Sequence, residues 1–456
     1  MSGMRIEPEA RARGRRWTTW TAWLPSLLLL LSVEARPFSP PRTAAAQEET
    51  STDGREGPEL VEHDGSRRAV AAARWGDADD WEFDVGGVWT PRGSATFLSW
   101  GRLTEPRRRA GLLGRSGSLL MVDRWRIAGD RLEGTTEAGC RFTALRAQVA
   151  LLVLSWPPAA AERDLQLRRW RDPRPTRDQV ELESGDQLTG SLLGGLAAEE
   201  SSEEVDLNPG QLRLELQRGV TPLAVDAVRS IAFRGDDARG REGRSAATRW
   251  IIGLADGSIL QAAKLERRDA QLRIELVDGL EWECDRGVFC ESIVFIQPLS
   301  AEDGHLSRPV FASDLESAGY RHVPWLRREW SYQRDANVVE GRLRSGGRTY
   351  VKGLGMHSTS RLAFDLEGRF ARLRGEMAVD DAAQQEGSVV FRIYVDRGDG
   401  KWEAALASDV LRGGDPPVKL DVDVTGVQRL ALIVDAADRG DIRDYGNWLN
   451  LRLYGP

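Results

Sequence analysis

Residues 387–396 read GSVVFRIYVD. Val389, Phe391, Ile393 and Val395 alternate with Val390, Arg392 and Tyr394, and a two-residue apolar period marks a strand with one face turned to a core. The same period recurs in Val418, Leu420, Val422 and Val424, in Leu430, Leu432 and Val434, and in Leu449, Leu451 and Leu453. Such short strands, broken by Gly, Pro and Asp turns with no long amphipathic helix between them, predict two antiparallel sheets around one core. Residues 310–456 therefore read as a jelly-roll-like β-sandwich, with loops at one end free to carry function.

Upstream, three stretches share one pattern. Residues 117–154 begin GSLLMV, residues 185–233 begin GDQLTG, and residues 257–296 begin GSILQA. Each continues through an alternating middle strand and a glycine turn to a last strand ending in Val or Ile. Leu212, Leu214 and Leu216 set against Arg213 and Glu215 illustrate the alternation. Units of this size bury too little to stand alone, so repeated small antiparallel, barrel-like sheets that pack on one another are expected. The expected organisation is a first repeat region at 75–157, a linker at 158–177 and the second and third units at 178–298. The acidic insert AAEESSEEVD at 197–206 reads as a hairpin loop.

The first 46 residues carry the zones of an export signal: Arg11, Arg13, Arg15 and Arg16, then the apolar run Trp23 to Val33, then Ala44-Ala45-Ala46. The apolar run is shorter than a membrane span needs. Cleavage before Gln47 places the chain in the periplasm, the cell envelope or the medium. The membrane is a partner only if this segment stays uncleaved. Residues 47–74 read as a disordered linker. With 63 Lys and Arg against 70 Asp and Glu, the net charge of −7 offers no nucleic-acid stripe. The basic runs at 107–109 and 168–171 read as solvated loops. Of the three cysteines, Cys284 and Cys290 are placed to bridge a short turn in an oxidising compartment.

The chain lacks GxSxG, HExxH, GxxxxGK(S/T) and a strand-to-helix GxGxxG. A hydrolytic reading therefore ranks below a binding one. The alternatives retained are an exported glycoside hydrolase or related hydrolase that uses the module for targeting, and a structural envelope protein.

Several landmarks follow in order: SDL at 313–315, KGLGMHS at 352–358, VDD at 379–381 ahead of GSVVF, RGGD at 412–415, VDVTGVQRLALIV at 422–434, and NWLN at 447–450. With them, residues 310–456 resemble the NPCBM domain, the carbohydrate-binding module described from glycosyl hydrolase family 98 and grouped with carbohydrate-binding module family 51. The arrangement of repeats and module resembles exported proteins of planctomycete-type bacteria. The resemblance implies that glycans or polysaccharides are the partner, with terminal galactose-type sugars first, and that His357, Asp381, Asn447 and Trp448 bind the ligand. Where family members more often show His-Ala-Asp-Trp, this chain has Tyr445-Gly446-Asn447-Trp448, losing an imidazole and a carboxylate. A sugar site needs a stacking ring and a few converging polar groups, which these residue types supply. Two readings stay open for Trp448, stacking platform or core cap. Asp380 and Asp381 read either as turn formers or as ligands for calcium, the one cofactor the residues suggest.

Overall fold

The computed structural model describes residues 57–456 apart from 64, 94–95, 106–108, 172–174, 196–209, 236–249, 300–308, 326 and 439. The export signal at 1–46 and the acidic insert at 197–206 lie outside the described residues.

The alternating strands fold as two antiparallel sheets. One runs Gln333–Arg334, Gly353–His357, Tyr445–Tyr454, Arg372–Val379 and Val418–Asp423 in spatial order. The other runs Gly319–His322, Ser360–Asp365, Arg429–Ala436, Ser388–Asp396 and Glu403–Ala407. Val389, Phe391, Ile393 and Val395 interleave with Leu354, Met356, Leu373 and Trp448 in one buried cluster. One predicted face is split. Leu451 and Leu453 join this core, whereas Leu449 turns to the opposite side and packs on Leu343 and Ala378. The cause is a bulge at Asn450, whose φ is 46°. Arg374 pairs with Arg452 and Glu376 with Leu449, so one strand advances three residues while its partner advances two. An extra residue reverses the side on which its neighbours emerge.

Upstream, one element order occurs three times. In the second unit it is Asp178–Leu182, Gln187–Gly195, Gln211–Leu216, Gly219–Ala224, a one-turn helix at Val225–Ala227, and Val228–Ala232. The third has Trp250–Leu254, Ile259–Arg268, Gln271–Leu276, Glu281–Asp285, the helix Arg286–Ser292, and Ile293–Pro298. The first spans Ala110–Gly114 to Val149–Val153, with the long second strand broken into Leu119–Val122 and Arg124–Ala128. Each closing strand pairs back onto its opening strand. The Gly-(Ser/Asp)-x-Leu stretches are the first hairpin turns, not the unit starts. Gly117, Gly185 and Gly257 have φ of 100°, 89° and 92°, conformations that glycine adopts without steric cost.

Both expected linkers contain structure. Within 47–74, Glu59–Glu62 and Arg67–Ala69 form a hairpin whose first strand also pairs with Phe97–Gly101. Leu60 is buried in the core, so the described part of this stretch is structured rather than a disordered linker, and 47–56 lie outside the described residues. Within 158–177, Ala160–Arg171 is a helix, and Leu167 and Trp170 pack on Leu113, Leu151 and Val153. Its low apolar content hid it, because only two side chains are needed to seat it.

The cysteine pairing also differs from expectation. Cys140 bonds Cys284, and Cys290 is free. Arg141 lies opposite Glu283 across paired strands of the first and third units, which brings Cys140 opposite Cys284. Cys290 sits on the helix that follows, away from that ladder.

Candidate functional site

The strand Gly353–His357 pairs with Tyr445–Tyr454 so that His357 faces Tyr445 and Gly355 faces Asn447. Directly opposed residues share a sheet face, so His357, Tyr445 and Asn447 emerge on the side away from the core. The glycines of KGLGM lie within the strand. Their role is clearance: a Cβ on Gly353 would stand 2.5 Å from the Trp448 carbonyl, and one on Gly355 would stand 2.5 Å from the Ala336 carbonyl.

At its end the chain turns from one sheet into the other through Ser358 and Thr359, and Ser360 pairs with His322. This crossing brings a second histidine to the first. The ring centroids of His322 and His357 are 5.6 Å apart, and Trp330 stacks on His357 at 4.8 Å with 7° between planes. Tyr445 stands 5.9 Å from His357 and 6.1 Å from Trp330. The Arg328 guanidinium lies 3.8 Å from the centre of the Trp330 ring, a cation–π contact. Trp325, on the same segment, is 63% exposed and lies by Gly440.

The hydrogen bonds set the imidazole tautomers. The Trp330 amide donates to His322 Nδ1 at 3.2 Å, so Nε2 carries the proton and donates to the Ser358 carbonyl at 2.9 Å. His357 Nδ1 donates to the same carbonyl at 2.5 Å. Burial holds His357 below the usual histidine pKa, outweighing that bond. A neutral ring that donates from Nδ1 keeps a lone pair on Nε2, and among the described residues nothing bonds it. Asp444 braces the corner, its carboxylate accepting from Ser358 Oγ at 2.7 Å and the Ser388 amide at 2.8 Å. Burial pushes its pKa up to about 6, with Asp441 and Asp438 adding to the effect.

The four residues nominated from sequence separate. His357 lies in the cluster. Asn447 is fully buried and donates to Asp380 Oδ2 at 2.6 Å. Asp380 accepts from Asn337, Arg344, Ala382 and Asn447. Asp381 accepts from the amides of Gly346 and Gly347, both at 2.9 Å. Both carboxylates thus accept from N–H donors of the surrounding turns. Among the described residues, no group of three or more His, Cys, Asp or Glu is gathered for a metal. Trp448 is 0% exposed and meets Phe391 edge-on at 4.9 Å in the core, so it is a core residue and not a stacking platform. The alternation around position 448 contained that answer: Trp448 is out of phase with the outward-facing Tyr445 and Asn447.

Sequence reading did not single out His322, Trp325, Arg328 and Trp330. The available signal was HVPWLRREW at 322–330, which holds one of only four histidines and two tryptophans. Its meeting with position 357 depends on the turn between sheets.

Residues 309–454 match the NPCBM/NEW2 domain model. An α-1,3-galactosidase B of Akkermansia muciniphila is 30% identical over 121 residues, which is 26% of this chain and 14% of that protein. A putative endo-α-N-acetylgalactosaminidase of Renibacterium salmoninarum is 24% identical over 149 residues, 32% of this chain and 10% of its own. The chain thus spans less than a sixth of either relative. A solved carbohydrate-binding module, the CBM51 from Clostridium perfringens GH95 in complex with methyl-galactose, is 22% identical over 32% of this chain and 99% of its own, with a TM-score of 0.28.

Proposed function

We propose that residues 309–454 bind the terminal sugar of a glycan through the cluster of His322, Trp330, His357 and Tyr445, and that the upstream units serve as its scaffold. The observation that carries this reading is the His357 imidazole: neutral, stacked on Trp330, and with no partner on Nε2 among the described residues. A sugar hydroxyl donates to Nε2, while Trp325 offers an apolar face to a pyranose ring. The domain match and the galactosidase relative support a galactose-type sugar first.

Export belongs to the same reading. The N-terminal zones support cleavage before Gln47, and the Cys140–Cys284 bond supports an oxidising compartment. The recurring element order supports a true internal repeat.

Calorimetric titration of the full chain with methyl galactoside and N-acetylgalactosamine tests the proposal. One shallow site should bind with a Kd between about 10 μM and 1 mM. His357→Ala should weaken binding by about 1–3 kcal/mol through the unmet hydrogen bond. Trp325→Ala, at an exposed position, should weaken it by about 1 kcal/mol at unchanged Tm. Failure of the folded wild-type protein to bind any member of a glycan array would falsify the proposal.

A further inference from the structure

In a cleft of about 760 Å³ among Trp75, Asp80, Trp250 and Arg267 the cations have partners: Lys264 pairs with Glu266, and Arg267 with Asp77. A second cleft, about 490 Å³, lies on the seam between the N-terminal hairpin and the sandwich, and its four cations outnumber its two carboxylates. Arg67, Arg374, Lys419 and Arg452 line it against Glu376 and Asp421. It shares Val61, Arg67, Ser99, Glu376 and Asn450 with a smaller cleft that adds Arg102, Arg348 and Glu59.

The bulge at Asn450 brings Arg452 directly opposite Arg374. Like charges directly opposed across a sheet cost stability. Both carboxylates already have partners other than Arg452 and Lys419. Glu376 takes Arg67 at 2.6 Å and the Tyr350 hydroxyl at 3.1 Å, while Asp421 takes Arg372 at 2.7 Å and Arg374 at 3.3 Å. Arg452 makes no hydrogen bond or ion pair among the described residues, and its Nε is sealed from solvent without an acceptor. Burial holds its pKa below the usual arginine value; Arg67 and Arg374 push the same way, while Tyr454 and Glu376 oppose. Lys419, at the exposed rim, likewise has no acceptor among the described residues. A guanidinium presents a planar fork suited to two oxygens at once. A cleft of this size falls in the range of about 300–1,000 Å³ typical of small-molecule sites, more than a lone ion needs.

We propose that this seam cleft is a second ligand site, in which Arg452 and Lys419 hold the oxyanion, carboxylate or sulfate, of an acidic saccharide. The saccharide part rests on the glycan-binding reading above; the oxyanion part does not.

The test is calorimetric titration of the full chain with methyl glucuronide, galactose 6-sulfate, sodium sulfate and neutral methyl galactoside. At least one acidic saccharide should bind, more weakly as salt rises, and should still bind His357→Ala. Arg452→Gln and the rim variant Lys419→Gln should each weaken that binding about tenfold or more, with methyl galactoside unaffected. Arg452→Gln should also raise the Tm of the unliganded protein, since it removes the charge opposed to Arg374. Absence of binding by both acidic saccharides, or wild-type affinity in either Arg452→Gln or Lys419→Gln, overturns the proposal. Loss of acidic binding in His357→Ala alone also overturns it. Sodium sulfate binding as tightly as either saccharide upholds the oxyanion and overturns the saccharide. Loss of neutral binding with acidic binding retained counts against the glycan site and not against this one.

Discussion

Asp444 is wholly enclosed, and its carboxyl accepts one hydroxyl and one amide without meeting a cation. With a folded pKa near 6 against about 4 in an unfolded chain, the native state holds a proton that the unfolded state gives up across that interval. The protonated form is the one the fold favours. Its contribution is therefore complete below about pH 4 and is lost as pH rises through 6. Asp444→Asn keeps an acceptor for the Ser388 amide and offers N–H to Ser358 Oγ. Allowing for partial solvent screening, denaturant titrations should show wild type losing about 1–2 kcal/mol between pH 4 and pH 7 relative to Asp444→Asn. The depressed pKa of His357 acts in the opposite direction near pH 6. It is present in both proteins and cancels in the difference. A constant difference across that range would show that Asp444 is ionised throughout.

The hairpin Leu343–Ser345 and Arg348–Tyr350 lies between the sandwich and the helix Ala160–Arg171. Arg344 grips Asp164 with two nitrogens and bonds Glu105 at 2.9 Å, while its amide donates to Asp380 at 3.0 Å. Asp164 also accepts from the Arg342 amide at 2.8 Å. The cations Arg344, Arg163 and Arg342 outweigh burial and hold the Glu105 carboxyl down to about 2. A helix in the segment expected to be a linker thus anchors a turn of the sandwich. Removing one partner of a buried pair strands the other, so Asp164→Ala should lower stability by about 3 kcal/mol. Hydrogen exchange at the Arg342 and Arg344 amides should accelerate, while amides of Ser388–Asp396 should be little changed. Uniform acceleration would mean that the hairpin and the sandwich open together.

Across the whole molecule, the Cys140–Cys284 bond closes a separation of 144 residues between the first and third units. A cross-link over a loop that long stabilises chiefly by restricting the unfolded chain, by about 2–5 kcal/mol. Intact-mass analysis of protein recovered from its native cells should show a chain starting at Gln47 with two thiols oxidised, and reduction should lower the Tm. A fully reduced chain from those cells would remove the support that the bond lends to export.

The alternation of Val389, Phe391, Ile393 and Val395 was enough to establish a sandwich, because a two-residue period binds each side chain to one face regardless of what it meets there. Gly117, Gly185 and Gly257 were legible as a recurring signal but were read as unit openings; that they are hairpin turns with positive φ appears only once each closing strand is seen to pair back onto its opening strand. His357 was nominated by the family resemblance of its KGLGMHS stretch. Its partners were not, because His322 and Trp330 reach it only after the chain crosses between sheets at Ser358. Trp448 and Leu449 were decided by strand phase and by one extra residue at Asn450, and the pairing of Cys140 with Cys284 by register between strands of different units. The face along a single strand is a local property that the sequence carries. The meeting of residues distant in the chain is set by register, bulges and crossings, which depend on the energy of the packed whole and exist only in the tertiary structure.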